Sequence, residues 1–197
     1  MLYHSTRGGS QRLSFADALL AGLAPDGGLY VPEGFPTLSA DQIRAMRGKP
    51  YATIAFEVIQ PFVGGTIDDD TLKSIIDGAY GTFRHSAVTP LMQLDERHLV
   101  LELFHGRTLA FKDVAMQFLA RAMDHVLAER DQRATIVGAT SGDTGGAAID
   151  AFLGRERADM FILFPDGRVS DVQRRQMTTS ADGNVHALAI DGTFDDC

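Results

Sequence analysis

From residue 134 onward, short apolar runs alternate with helix-like segments, and this alternation restricts the possible fold more than any other feature of the sequence. Strands are expected at Ala134–Gly138, Met160–Phe164 and Val185–Ile190. The intervening helices are expected to end at Leu153 and to run over Val172–Thr178. Apolar strands that alternate with helices are typical of a parallel sheet covered on both faces. The sequence therefore predicts an α/β layer in this part of the chain.

A similar pattern lies just upstream. His98–Phe104 is a largely apolar strand candidate, and a turn separates it from a long helix that should begin near Asp113. The apolar residues of that helix fall on one face at helical spacing: Val114, Phe118, Leu119, Ala122, Val126 and Leu127. The α/β pattern is therefore expected to start at about residue 98.

The first ninety residues indicate a mostly helical region. Ser14 is a helix N-cap candidate, and Ser39 forms a capping box with Gln42. Apolar-periodic helices are expected at residues 51–62 and 71–83, with a short edge strand at 29–31 before a proline. We expect a helical domain over 1–90 and an α/β domain over 91–197.

Composition excludes several classes of function. The chain has 18 basic and 26 acidic residues, a formal charge of −8, so a general nucleic-acid or anionic-membrane surface is not expected. Cys197 is the single cysteine, so no internal disulfide can form and a reduced cytoplasm is expected. The six histidines show no metal-ligand spacing, and neither a secretory signal nor an apolar run long enough to cross a membrane is visible.

Lys112 is the first candidate for chemistry. The chain has 15 arginines and only 3 lysines, and Lys112 lies between Phe111 and an apolar helix stripe, where α/β folds gather ligands. Burial there would disfavour the charged amine and leave a nucleophile suited to Schiff-base chemistry. The alternative is a lysine whose stem packs on Phe111 while its ammonium reaches solvent or pairs with Asp113. Nearby, His105 is either a polar group at the mouth of a site or a hydrogen-bonded turn residue.

A loop rich in glycine, serine and threonine is the second candidate. Residues 138–146 follow a strand and open a helix, whose free N–H groups favour a carboxylate or phosphate. Thr140, Ser141 and Thr144 add hydroxyl donors. The loop matches neither the nucleotide P-loop nor the dinucleotide fingerprint. In the alternative interpretation it is a capped turn, in which Asp143 or Ser141 satisfies helix N–H groups.

Together these segments resemble threonine synthases, which are pyridoxal-phosphate enzymes of the tryptophan-synthase-β-like fold, also called fold type II. Leu101–Asp113 resembles the lysine segment of that family, and Gly138–Gly146 resembles its substrate loop. Ser5–Gly8 and Gly22–Pro32 resemble its N-terminal signature. Arg107 is a departure, because the family usually has proline there, and this change could alter the rigidity of the turn before the lysine.

The resemblance implies conversion of O-phospho-L-homoserine and water to L-threonine and phosphate, through a pyridoxal 5'-phosphate Schiff base on Lys112. It implies that Phe111 helps to wall the cofactor pocket and that Asp143 faces the 3'-oxygen of the cofactor. The residues implied to receive the substrate carboxylate are Thr140, Ser141, Gly142 and Thr144.

The resemblance also implies that the site is incomplete. The family uses a second glycine-rich loop for the cofactor phosphate and a further residue for the pyridine nitrogen, and neither is visible after Ala147. We therefore expect the first part of a fold type II α/β layer, in a chain that corresponds to the N-terminal portion of a threonine synthase and is inactive by itself. The alternatives are a related pyridoxal-phosphate dehydratase or phospholyase, and a non-catalytic binding module.

Overall fold

A computed structural model describes residues 1–180 and 182–197. The chain divides into two compact units, Met1–Asp77 and Gly78–Cys197. Whether independently folding domains divide near residue 90 stays a prediction. Among the described residues, no helix combines the length and apolar character needed to cross a bilayer.

The first unit is mostly helical, as the sequence predicted. Its helices are α1 (Phe15–Ala21), α2 (Ala40–Ala45), α3 (Tyr51–Val63) and the greater part of α4 (Asp69–Tyr80). Ser14 and Ser39 cap α1 and α2 as expected, and Gln42 completes the capping box of α2. Two short strands, β1 (Tyr3–Ser5) and β2 (Tyr30–Pro32), pair antiparallel, with Ser5 opposite Tyr30. The fully buried apolar side chains of this unit include Val63, Leu72 and Ile76.

The second unit begins with a hairpin that corrects one prediction. The strand expected at His98–Phe104 is shorter, β4 (Leu99–Leu101), and it pairs antiparallel with β3 (Leu91–Gln93) instead of joining the parallel sheet. The physical reason is local turn chemistry. Asp95 Oδ1 accepts hydrogen bonds from the backbone N–H groups of Arg97 and His98, which closes a turn between the two strands.

The rest of the second unit is the expected parallel α/β layer. Its elements are α5 (Asp113–Glu129), β5 (Ala134–Ala139), α6 (Asp143–Phe152), β6 (Ala158–Pro165), α7 (Asp171–Thr178) and β7 (Val185–Ile190), followed by a 3-10 turn at Phe194–Asp196. The sheet order is β5-β6-β7, all parallel, with Val137 opposite Phe161 and Phe161 opposite His186.

The core lies between this sheet and its helices. It is built from alternate residues of β6, Met160, Ile162 and Phe164, packed with Ile149 and Phe152 of α6. The opposite face of the sheet is more exposed, because Val137 is 68% and Leu188 46% exposed. Residues of α5, α6 and α7 join this core, and coverage of the opposite face of the sheet stays a prediction. The carboxyl end of β5 leads directly into the glycine-rich loop.

Candidate active site

Lys112 stands at the end of a turn, immediately before the first residue of α5. Its side chain is half-buried, and its Nζ lies 4.4 Å from the centroid of the Phe111 ring. Phe111 is itself exposed, so the cation–π contact holds the amine near the surface and not in the core. Leu109, three residues before Lys112, has a φ of 65°, a conformation that a bulky residue adopts only when its surroundings impose it. The turn that carries the amine is therefore held in place by contacts beyond its own sequence.

Asp113 provides the first of these contacts. Its carboxylate is fully buried and accepts hydrogen bonds from the backbone N of Thr108 at 2.9 Å and from Thr108 Oγ1 at 2.6 Å. Burial raises the pKa of Asp113 above its ordinary value, the Thr108 hydrogen bonds oppose that rise, and the charge of Asp150 adds to it. Gly106 is required beside it, because a Cβ at Gly106 would lie 2.2 Å from Asp113 Oδ2.

Two further helices hold the same turn. Gln176 of α7 donates from Nε2 to the carbonyl oxygen of Thr108 at 3.1 Å. Arg107 donates from Nε to Asp150 Oδ1 of α6 at 2.7 Å. The turn is therefore fixed by side chains of α5, α6 and α7.

The glycine-rich loop is organised by Thr140. This side chain is buried, and its Oγ1 accepts hydrogen bonds from the backbone N–H groups of Gly142 at 3.0 Å and Gly145 at 2.8 Å. The backbone N–H of Thr140 donates to the carbonyl oxygen of Leu163 in β6. Gly142 has a φ of 142°, which only glycine adopts readily. Thr140 therefore fixes the backbone of the loop through hydrogen bonds on its buried side.

The surface of the loop carries the groups that remain available to a ligand. Ser141 and Thr144 are exposed, and the described part of the chain supplies no hydrogen-bond partner for either hydroxyl. The backbone N–H groups of Asp143 and Thr144 occupy the first turn of α6, where no intrahelical acceptor exists. The Asp143 carboxylate accepts a hydrogen bond from Gln173 Nε2 at 2.6 Å, so it is tied to α7. Two hydroxyls and two N–H groups can receive a carboxylate or phosphate here.

The lysine turn and the loop meet in one pocket of about 390 Å³. Apolar side chains form most of its wall, and its polar members are Lys112 and Thr144. The apolar lining residues are Leu103, Phe111, Val114, Ala115 and Met116. The structure thus brings together three of the predicted site residues, Lys112, Phe111 and Thr144. Thr140, Ser141, Gly142 and Asp143 belong to the adjoining loop and do not line this pocket.

His105 does not line the pocket. Its Nε2 lies 2.6 Å from Glu102 Oε2, and its ring lies 5.1 Å from the ring of His85. These contacts agree with the interpretation as a hydrogen-bonded turn residue.

Sequence reasoning missed the side chains that support the site. Gln173 and Gln176 hold the loop and the lysine turn from α7, and Asp150 holds Arg107 from α6. The capping box of Ser170 with Gln173 is visible in the sequence and marks the start of α7. Nothing in the sequence indicates that the same Gln173 reaches Asp143, thirty residues away in the chain.

The chain is similar in sequence to known threonine synthases. The family model described as threonine synthase N terminus matches residues 2–80. A threonine synthase from Pseudomonas aeruginosa is 55% identical over 197 residues, which is 100% of this chain and 42% of the relative. The chain therefore spans about two fifths of the length of the curated relatives that it matches.

Solved structures agree with the sequence matches. A crystal structure of pyridoxal-phosphate-bound threonine synthase from Brucella melitensis superposes with a TM-score of 0.97 at 64% identity, covering 100% of this chain and 42% of that one. The structure of threonine synthase from yeast superposes with a TM-score of 0.94 at 40% identity, with the same coverage of both chains. These likenesses extend over both compact units.

Proposed function

Because the chain matches the N-terminal portion of threonine synthases over its whole length, we propose that it carries the lysine-bearing part of a threonine synthase active site. The reaction converts O-phospho-L-homoserine and water to L-threonine and phosphate. The observation that carries the proposal is the shared pocket, in which the amine of Lys112 and the hydroxyl-bearing Thr144 line one cavity.

The donor set of the pocket fits pyridoxal 5'-phosphate. Lys112 offers a primary amine within reach of the cavity, and Phe111 offers an aromatic wall beside it. When bound, this cofactor supplies an electron sink for carbanions next to the amino group of the substrate. Lys112 would hold the cofactor through its amine, with Asp143 on the loop side, where Gln173 fixes the carboxylate.

The roles of the other residues follow from what each presents to the cavity or the loop surface. The Ser141 and Thr144 hydroxyls, with the N–H groups of Asp143 and Thr144, would receive the substrate carboxylate. Thr140 and Gly142 would set the shape of that anion site: the first turns its hydroxyl inward, and the second provides the required backbone conformation. Lys112 Nζ, which lines the cavity, would move protons to and from the substrate carbons.

We also infer that the 197 residues by themselves are inactive. In the described residues, the loop at 138–146 is the glycine-rich loop that opens a helix beside the lysine. We assign this loop to the carboxylate of the substrate, so it does not serve the phosphate groups. The phosphate groups of the cofactor and the substrate would then need residues from a longer protein, which agrees with relatives of more than twice this length.

Product analysis tests the proposal. The chain would be joined to the part of the Pseudomonas aeruginosa threonine synthase that lies beyond the aligned region, and this chimera would be supplied with pyridoxal phosphate and O-phospho-L-homoserine. We expect L-threonine and phosphate in equal amounts, and no product from the 197-residue chain alone. Lys112→Ala should abolish turnover in the chimera, whereas Lys49→Ala, which removes a lysine outside the site, should not. Formation of 2-oxobutyrate would instead indicate a dehydratase or lyase.

A further inference from the structure

Arg107 links the turn before Lys112 to the helix that opens with the carboxylate loop. Its Nε lies 2.7 Å from Asp150 Oδ1, and Asp150 lies in the last turns of α6, the helix that begins at Asp143. The two residues are 43 positions apart in the chain, so the contact joins two separate segments. Both segments contribute to the pocket, one through Lys112 and the other through Thr144.

The position of Asp150 is itself fixed. Gln117 of α5 is buried and donates from Nε2 to Asp150 Oδ2 at 2.7 Å. The Gln117 side-chain oxygen in turn accepts from Arg121 at 2.7 Å, so both ends of the Gln117 amide are engaged. This leaves Oδ1 of Asp150 directed to Arg107. The Asp150 side chain is 17% exposed and the Arg107 side chain 55%, so the carboxylate of this pair is shielded from solvent while the guanidinium is partly screened by it.

The turn needs such a tether. Leu109 is held at a positive φ, and within the described residues 107–109 take part in no backbone–backbone hydrogen bond. The backbone hydrogen bonds of the turn lie further on, where Asp113 and Val114 donate to the carbonyl oxygens of Ala110 and Phe111. Asp113 and Gln176 hold it at Thr108, and Arg107 is its contact with α6.

We propose that Arg107 is a positioning residue that sets the lysine turn relative to α6 through Asp150, and thereby sets Lys112 relative to the carboxylate loop. A role of Arg107 in catalysis rests on the proposed function, whereas its positioning of the lysine turn through Asp150 does not. Arg107 touches neither the cavity nor a reacting atom, and it acts through the turn.

Amide hydrogen exchange in the 197-residue chain tests the coupling without cofactor or substrate. In Asp150→Asn, the amide oxygen can still accept from Gln117, while the amide nitrogen faces Arg107 and breaks the ion pair. We expect exchange of the Thr108 N–H, which donates to Asp113 Oδ2, to accelerate about three- to tenfold in a peptide spanning residues 104–112, with exchange in β6 unchanged. Arg107→Lys, which keeps the charge, should restore slow exchange relative to Arg107→Met.

A matched control lies in the same unit. Arg133 pairs with Asp159 at 3.0 Å at the opposite end of the parallel strands, and Asp159→Asn breaks a similar arginine–aspartate pair there. It should leave exchange at residues 104–112 unchanged.

A second pair of variants separates positioning from simple destabilisation. Arg107→Met removes the guanidinium and leaves the backbone of the turn unchanged. In that background Asp150→Asn should have no further effect on residues 104–112, because the ion pair is already absent.

The proposal is overturned if Asp150→Asn accelerates exchange equally in the wild-type chain and in the Arg107→Met variant, or if it leaves residues 104–112 of the wild-type chain unaffected. Since these measurements use no cofactor, failure of the proposed function would appear separately, as a chimera that makes no threonine.

Discussion

Each of the two compact units contains an aspartate that organises a turn, and the two aspartates respond to their surroundings in opposite ways. In the first unit, Asp26 accepts hydrogen bonds from Ser5 Oγ at 2.6 Å and from the backbone N–H groups of Gly9 at 2.9 Å and Gly28 at 3.0 Å. The Ser5 hydrogen bond is the main cause that lowers the pKa of Asp26 below its ordinary value.

In the second unit, Asp113 also gathers turn donors, from the backbone and the hydroxyl of Thr108, yet its pKa is raised because it is fully buried. The difference shows that similar hydrogen bonding stabilises one carboxylate and only partly offsets the desolvation of the other. The turn before Lys112 is therefore built on a group that is costly to bury as an anion, whereas the N-terminal turn is not.

The largest expected loss of stability comes from replacing the glycines that lie against these aspartates and their partners. In Gly106→Ala, the new Cβ would lie 2.5 Å from Asp113 Cβ, so rotation of the aspartate cannot relieve the overlap. We expect a loss of about 3 kcal/mol in the free energy of unfolding, measured by urea denaturation.

Gly28→Ala is the counterpart in the first unit. Its new Cβ would lie 2.1 Å from Ser5 Oγ, which can rotate away at the expense of its hydrogen bonds, so a smaller loss of about 1 kcal/mol is expected. Gly34→Ala, where no atom lies within 4 Å of the new Cβ, is the control and should change stability by less than about 0.5 kcal/mol. Equal losses for Gly106→Ala and Gly28→Ala would contradict the distinction.

The next effect concerns the carboxylate itself. Asp113→Ala leaves the Thr108 N–H and hydroxyl without their acceptor in a half-buried turn. This should lower the free energy of unfolding by about 1–3 kcal/mol. Asp113→Asn keeps one acceptor oxygen and should cost less in the same urea titration. An alanine variant as stable as the wild type would show that Thr108 finds other partners.

The smallest effect is a difference in the sign of pH dependence. Because the pKa of Asp113 is raised on folding, the native state binds its proton more tightly, so stability falls as the pH rises from about 4 through the folded pKa. Because the pKa of Asp26 is lowered, its contribution is complete above about 4 and is lost as the pH falls through its folded pKa.

Urea titrations of Asp113→Asn and Asp26→Asn from about pH 3 to pH 7 would reveal the two signs. The advantage of the wild type over Asp113→Asn should shrink as the pH rises, and its advantage over Asp26→Asn should grow up to about pH 4 and then stay constant. Slopes of the same sign would show that burial does not dominate at Asp113.

Much of the fold could be predicted, because its signals are local. The caps at Ser14 and Ser39 and the three apolar strands of the parallel sheet follow from spacing alone. The β3–β4 hairpin could not be predicted in the same way, because its turn depends on Asp95 accepting two backbone N–H groups. The apolar run at 98–104 therefore indicated a strand without indicating its partner.

The candidate site likewise contains residues that the sequence predicts and supporting contacts that it does not. Lys112 and the glycine-rich loop are recognisable by residue type and position, and the structure brings Lys112 and Thr144 to one pocket. The inward turn of Thr140 and the tethers from Asp150, Gln173 and Gln176 depend on contacts between distant segments, which no local pattern encodes.

The location of a reduced pyridoxal-phosphate adduct tests directly whether Lys112 holds the cofactor. The chimera loaded with the cofactor would be treated with borohydride and mapped by peptide mass spectrometry, with Lys49 and Lys73 as internal references. The adduct is expected on Lys112 and should disappear in Lys112→Ala. An adduct that survives Lys112→Ala would contradict the assignment of this lysine as the residue that holds the cofactor.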